Sequence, residues 1–172
     1  GAVLERRPTG LESWRFPTEC PVCSQPLARA EGDANTYCVN RLCSARVEQG
    51  IVHFAGRTAM DIKGLGERTI VTLVELGMVA DVGDLFSLTA EGLLTLEGFG
   101  ETSVTNLLGA IAEARDRPLA NVLIGLGVEH LGPTSAETLA RRFGTMDEIA
   151  AADAPQIAAI DGIGPIIADS VH

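Results

Sequence analysis

The sequence contains few aromatic residues and no long apolar run, and each absence excludes a class of protein. Five Phe, one Trp and one Tyr occur among 172 residues, so Leu, Ile, Val and Ala must form the core, which favours packed helices over a β-sandwich. No apolar run approaches the roughly 20 residues that cross a bilayer, and no segment has the order of a signal peptide. We therefore expect a cytoplasmic protein without a membrane partner.

Basic side chains are also scarce, and their distribution is uneven. The net charge is −10, which by itself argues against binding to nucleic acid. Residues 1–70 contain nine basic and eight acidic side chains, whereas residues 71–172 contain four basic and fifteen acidic ones. Either the acidic part is an ordinary solvated helical surface, or the two parts have different roles.

All four cysteines lie within a stretch of 24 residues, as Cys20-x2-Cys23 and Cys38-x4-Cys43 separated by fourteen residues. Two close thiolate pairs on either side of a loop are typical of a tetrahedral metal site. Zn²⁺ is the expected ion because it accepts four thiolates without redox chemistry. Two disulfides and a rubredoxin-like iron site remain alternatives. A site closed by four thiolates has no open position for water and therefore has a structural role.

A short glycine-containing motif occurs four times after residue 53. The last glycines of the four motifs are separated by 34, 32 and 32 residues, which indicates an internal repeat. Each motif follows an apolar stretch and precedes a pattern typical of an amphipathic helix. The motifs are Gly64-Leu65-Gly66, Gly98-Phe99-Gly100, Glu129-His130-Leu131-Gly132 and Gly162-Ile163-Gly164.

Local patterns predict where several of the helices begin and end. Apolar residues at spacings of three and four predict a helix over 67–76, and Gly77 predicts its end. Pro118 and Pro133 are typical of the first turn of a helix. Capping boxes are predicted at Thr145-x2-Glu148 and Asp153-x2-Gln156.

The glycines predict an anion-binding hairpin in each repeat. A tight turn needs positive φ, which glycine adopts freely, and the missing side chain lets another backbone approach. The helix that follows offers free N–H groups and the positive end of its dipole. In an array of hairpins, the expected anions are successive DNA phosphates, and these amides need no net positive charge to bind them. Tight connections in an ordinary helical bundle remain the alternative.

The four hairpins are not expected to contribute equally. Pro133 and Pro165 each remove one amide at a helix start, so we expect the third and fourth hairpins to be partly structural. His130 is a candidate side-chain donor in the third, with an ordinary solvent-exposed loop histidine as the alternative. The candidate DNA-binding residues are Gly64, Leu65, Gly66, Gly98, Phe99, Gly100, His130, Gly132, Gly162 and Gly164, with Arg57, Lys63 and Arg68 near the first hairpin.

The stretch 53–66, directly after the four-cysteine module, resembles bacterial NAD⁺-dependent DNA ligases, as does the stretch 126–144. The resemblance covers residues 18–172 and implies a mainly α fold with a zinc finger followed by helix-hairpin-helix repeats. Residues 1–17 are then expected to be a linker or the end of an oligonucleotide-binding barrel. The implied domains are the zinc finger at 18–50 and four repeats at 51–80, 81–117, 118–144 and 145–172, the last one truncated.

The resemblance also implies a role in sealing nicks in duplex DNA during replication and repair. In such enzymes these parts clamp nicked duplex DNA for a catalytic domain of the same polypeptide, and NAD⁺ and Mg²⁺ act in the full-length enzyme. The family's adenylated lysine lies in Lys-x-Asp-Gly, whereas Lys63, the single lysine here, lies in Ile-Lys-Gly-Leu. The resemblance further implies a monomeric, nucleoid-associated bacterial chain, and without the adenylated lysine we expect it to be inactive alone. A module of another repair or recombination protein, or a zinc-stabilised protein-interaction module, remains an alternative.

Overall fold

The computed structural model describes residue 10 and residues 14–172. Most of the barrel or linker segment predicted at 1–17 lies outside the described residues. The chain divides into two compact units, one that ends at Cys43 and one from Ser44 to His172. We call them the cysteine unit and the helical unit. The boundary predicted at residue 50 falls inside the first helix of the helical unit.

A short hairpin organises the cysteine unit. Strands β1 (Leu27–Ala28) and β2 (Tyr37–Cys38) pair antiparallel, with Leu27 opposite Cys38. Gly32 supplies the positive φ of 82° that the connecting loop needs. Of the described residues in this unit, Cys20 and Cys43 alone are buried, so the unit has no apolar core.

The helical unit consists of helices joined by short connections. None of the described helices is long and apolar enough to cross a membrane. A 3-10 helix covers Asp84–Ser87. The α-helices are α1 (Ser44–Ala55), α2 (Glu67–Glu75), α3 (Ala90–Leu94), α4 (Glu101–Ala114), α5 (Leu119–Gly125), α6 (Pro133–Phe143), α7 (Met146–Ala151), α8 (Ala154–Ala158) and α9 (Pro165–Val171).

These boundaries follow the local patterns closely. Helix α2 ends where Gly77 takes a φ of 67°, and α6 begins at Pro133 as expected. Pro118 lies one position further out than expected, as the residue that caps α5. The box at 153–156 is complete, with both reciprocal hydrogen bonds. At 145–148 only the threonine half of the box is present, an N–H donated to the Thr145 hydroxyl at 3.2 Å.

The buried apolar residues form two clusters in the helical unit. One cluster is built from α1 to α4 and includes Ile51, Leu73 and Leu107. The other is built from α5 to α9 and includes Leu139 and Ile157. Each cluster thus serves two consecutive repeats, because one short helical hairpin buries too little apolar surface by itself. The predicted mainly α fold, with a cysteine module followed by helix-hairpin-helix repeats, is confirmed.

Helices α1 and α5 contact each other where the two clusters meet. A Cβ added to the buried Gly125 would lie 2.8 Å from Cδ2 of Phe54, so glycine allows this close approach. Nearby, Nε2 of His53 lies 2.8 Å from the carbonyl oxygen of Ile124. These contacts fix how the first two repeats are placed against the last two.

Candidate metal centre and nucleic-acid interface

The four cysteine sulfurs come together in the cysteine unit, all within 4.8 Å of one another. The Sγ–Sγ distances are 3.9 Å for Cys20 and Cys43 and 3.4 Å for Cys23 and Cys38. A tetrahedral zinc site with Zn–S bonds of about 2.3 Å places its sulfurs about 3.8 Å apart, so the arrangement fits. Both distances exceed the roughly 2.05 Å of a disulfide bond.

Backbone hydrogen bonds shape the two turns that hold these sulfurs. The Cys20 N–H donates to the Gln25 carbonyl at 2.8 Å, and the Ser24 N–H donates to the Cys20 carbonyl at 2.9 Å. Ser24 adopts a φ of 56° to close this turn. In the second turn the Cys43 N–H donates to the Asn40 carbonyl at 3.2 Å. Each cysteine pair is therefore held by its own tight turn.

The thiols of the cluster differ in how readily they ionise. A backbone hydrogen bond from Gln25 lowers the pKa of Cys23 to about 6. Desolvation, together with the neighbouring sulfurs, raises the pKa of Cys38 to about 12. Four thiolates this close repel one another, so a divalent cation is needed to hold all of them ionised.

The four glycine hairpins share one backbone geometry. We number them hairpins 1 to 4, at residues 64–66, 98–100, 130–132 and 162–164. The first residue has positive φ in every hairpin, and the last glycine caps the next helix with extended ψ. His130 therefore occupies the position that glycine holds elsewhere, with a φ of 64°. The first-position angles are 85° at Gly64, 82° at Gly98 and 82° at Gly162.

The middle residue of each hairpin is an anchor to the core. Leu65 and Ile163 are buried, and Phe99 and Leu131 pack against the two clusters. The side chains of Leu65 and Phe99, both candidate DNA-binding residues, are thus directed inward. Leu65 is thereby left with its backbone to contact a ligand, whereas Phe99 is partly buried and also lines a cleft beside hairpin 2.

The last glycine of each hairpin has no conformational reason to be glycine. Its φ lies between −111° and −80° in all four hairpins, a range open to any residue. A Cβ added there would meet no atom within 4 Å. A serine or aspartate would cap the helix better. The four glycines are Gly66, Gly100, Gly132 and Gly164.

The helix starts differ in the donors that they leave free. The Gly100 N–H of hairpin 2 already donates to the Ser103 hydroxyl at 2.9 Å. Hairpins 3 and 4 are followed by Pro133 and Pro165, which have no N–H. His130 is exposed, with Nε2 3.6 Å from a carboxylate oxygen of Glu129. Hairpin 1 therefore keeps the fullest set of donors.

The three candidate basic residues do not gather at one place. Arg57 and Lys63 line a groove of about 710 Å³ together with Gly64 of hairpin 1; we call it the hairpin 1 groove. Arg68 instead lines a separate cleft of about 400 Å³ beside Glu97 and hairpin 2. The sequence pattern missed Asp61, which also lines the hairpin 1 groove, and Arg117, whose Nη2 lies 3.7 Å from Oδ2 of Asp61.

A four-sulfur zinc module joined to repeated helix-hairpin-helix elements defines a class of zinc-containing DNA-binding protein. Residues 121–172 match the helix-hairpin-helix motif family, and residues 19–45 match the NAD-dependent DNA ligase C4 zinc finger domain. The zinc-finger match is to NAD-dependent DNA ligases, and the chain is similar to the zinc-finger and helix-hairpin-helix portion of that family. The match to a zinc finger favours zinc over iron at the four sulfurs.

Individual relatives agree with this assignment. The chain is 45% identical over 172 residues to a DNA ligase of Roseiflexus castenholzii. The aligned region covers 99% of the chain and 24% of the relative. It is also 45% identical over 169 residues to a DNA ligase of Limosilactobacillus fermentum. Here the aligned region covers 98% of the chain and 25% of the relative. The chain thus spans about a quarter of the length of these relatives.

Proposed function

We propose that this chain grips the backbone of nicked duplex DNA within an NAD⁺-dependent DNA ligase, through amides of its glycine hairpins. One observation carries the proposal: the open space at the last glycine of all four hairpins. No residue in the described part of the chain occupies that space, so we explain the missing side chains by an external backbone that approaches closely.

Phosphate is the ligand that the chemistry of these hairpins favours. The first N–H groups of a helix have no partner within the helix, and the helix dipole is positive at that end. Helices α2 and α4, which follow hairpins 1 and 2, have nine and fourteen residues, enough for an appreciable dipole. Such contacts read no bases, so we expect binding that is independent of sequence and is weakened by salt.

The zinc finger supplies structure in this proposal and takes no part in the chemistry. Cys20, Cys23, Cys38 and Cys43 would bind one Zn²⁺, which leaves no open position for a substrate. Sealing of nicks, with NAD⁺ and Mg²⁺, then falls to a catalytic domain of the same polypeptide, and the chain acts as a monomer near the bacterial nucleoid. The chain itself has no Lys-x-Asp-Gly sequence.

A matched pair of alanine substitutions tests the grip on DNA. Gly66→Ala adds a methyl group to the open face of hairpin 1, and Gly109→Ala adds the same group to an exposed site in the middle of α4. Hydrogen bonds to a charged acceptor contribute about 1.5–3 kcal/mol, so Gly66→Ala is expected to weaken binding about tenfold. The measurement is fluorescence anisotropy of a nicked duplex titrated with the zinc-loaded chain at two salt concentrations.

Two results would contradict the proposal. Equal affinity of Gly66→Ala and Gly109→Ala would show that the hairpin does not touch DNA, and no binding at low salt would exclude a DNA grip altogether. Sealing of nicked DNA by the chain alone, with NAD⁺ and Mg²⁺, would overturn the assigned division of roles.

A further inference from the structure

We propose that Arg117 neutralises Asp61 at the hairpin 1 groove and thereby keeps Arg57 and Lys63 available to DNA phosphates. The inference rests on the proposed function and identifies hairpin 1 as its charged contact. Arg117 would act as a positioning residue, since its effect on DNA passes through Asp61.

Hairpin 1 differs from the others in the residue directly before it. Lys63 precedes hairpin 1, whereas hairpins 2, 3 and 4 are preceded by Glu97, Glu129 and Asp161. A cation at this position attracts a phosphate held by the hairpin amides, and a carboxylate repels it. Hairpin 1 is therefore the place where long-range attraction and local amide donors coincide.

Among the described residues, Asp61 is the one acidic residue that lines the hairpin 1 groove. An unpaired carboxylate there would repel an incoming phosphate and would also attract Arg57 or Lys63. Within the described part of the chain, neither of these two cations forms an ion pair. The groove therefore keeps its two cations free although a carboxylate lies among them.

Arg117 supplies the positive charge that pairs with Asp61. Its Nη2 lies 3.7 Å from Oδ2 of Asp61, and its Nε donates to the Met60 carbonyl at 3.3 Å. These two contacts orient the guanidinium from the connection between α4 and α5, outside the residues that line the groove. Asp61 is thus paired with Arg117, a cation that does not itself line the groove.

The ion pair between Arg117 and Asp61 contributes little to the stability of the fold. Its side chains are 33% and 35% exposed, and pairs as solvated as this contribute little to the free energy of unfolding. Asp61 has a φ of 49°, a conformation that asparagine tolerates as well as aspartate does. Asp61→Asn therefore removes the charge and leaves the turn intact.

A double-mutant cycle on the zinc-loaded chain tests the proposal. We expect Arg117→Gln to weaken binding to nicked duplex about fivefold at low salt, the effect of roughly one unit charge at contact distance in water. Asp61→Asn is expected to strengthen binding about twofold, because the field of Arg117 is then uncompensated and only partly screened. In the Asp61→Asn background, Arg117→Gln should change the affinity by less than about twofold. Arg117→Lys, which keeps the cation, should restore most of the affinity.

The outcomes separate this inference from the function on which it rests. If wild-type chain does not bind duplex DNA at low salt, the proposed function fails. If it binds and Arg117→Gln weakens it equally with and without the Asp61→Asn substitution, the neutralisation is disproved and Arg117 touches DNA itself. Thermal unfolding of each variant identifies loss of fold. Should Arg117→Gln not fold, Arg117→Lys combined with Asp61→Asn decides, since an affinity below that of wild type would overturn the proposal.

Discussion

The cysteine unit and the helical unit differ most in what lies at their centres. In the described part of the cysteine unit, the buried residues are two of the four cysteines. In the helical unit the buried residues are aliphatic side chains, alanines, Phe54, Met60 and Gly125, and no buried side chain is polar or charged. We therefore expect the fold of the first unit to depend on an ion, whereas that of the second depends on apolar surface. The two units are therefore expected to be sensitive to different changes, the first to loss of the metal and the second to loss of core side chains.

The largest expected effect comes from the loss of one metal ligand, which should affect the cysteine unit and leave the helical unit folded. Cys43→Ala is expected to remove zinc binding and unfold the cysteine unit, because structural zinc sites contribute about 10–16 kcal/mol to folding. Zinc stoichiometry should fall from about one to near zero, and hydrogen exchange should lose protection up to residue 43. Val22→Ala, a change at an exposed site between two ligands, is the control. A parallel loss of helical circular dichroism would show that the two units are not separable.

Deletion of core volume should affect only the helical unit. Leu139→Ala and Leu107→Ala each remove a side chain that is at most 1% exposed, so a loss of about 2–5 kcal/mol in the free energy of unfolding is expected. Urea denaturation measures it, with the exposed Leu76→Ala as control. Bound zinc should not change. Separate transitions for the two variants would show that the two apolar clusters unfold independently.

The contact between α1 and α5 predicts a smaller effect. Gly125→Ala places a methyl group 2.8 Å from the buried ring of Phe54, so a loss of about 1–3 kcal/mol is expected from overpacking. Gly109→Ala in α4 meets no neighbour and should stabilise the helix by about 0.5–1 kcal/mol. A lower unfolding temperature for Gly125→Ala and a higher one for Gly109→Ala would support the contact between α1 and α5. A neutral Gly125→Ala would show that α1 and α5 can separate.

The smallest effect is expected at the surface of the cysteine unit. Leu42 is 87% exposed although it lies beside a metal ligand. Leu42→Ser should therefore change stability by less than about 0.5 kcal/mol and leave the zinc content unchanged. Loss of zinc in this variant would mean that apolar packing does help to hold the metal site.

The sequence predicts those parts of the fold that depend on local backbone chemistry. Gly77, Pro133 and the Asp153–Gln156 box each act within one turn of helix, so their effects can be read from neighbouring residues. The close approach of four sulfurs also follows from spacing alone. The hairpin at His130 was recognised from its position in the repeat, because its first residue is not glycine.

Other features depend on contacts that no local pattern encodes. The grouping of four repeats into two apolar clusters follows from how α1 meets α5, and Gly125 matters only once Phe54 lies against it. Asp61 and Arg117 are far apart in sequence, and nothing beside either residue indicates its partner. Arg68 is near hairpin 1 in sequence, but the first turn of α2 directs it towards the cleft at hairpin 2.

The hairpin 1 groove also contains the one lysine of the chain, Lys63. An amine-selective acylating reagent can therefore modify a single side chain, apart from the terminal amine. Added duplex DNA that occupies the groove would shield this amine, and an oligonucleotide held elsewhere would leave it reactive. The uptake of one acyl group, read by mass spectrometry, thus gives a measure of groove occupancy without any engineered label.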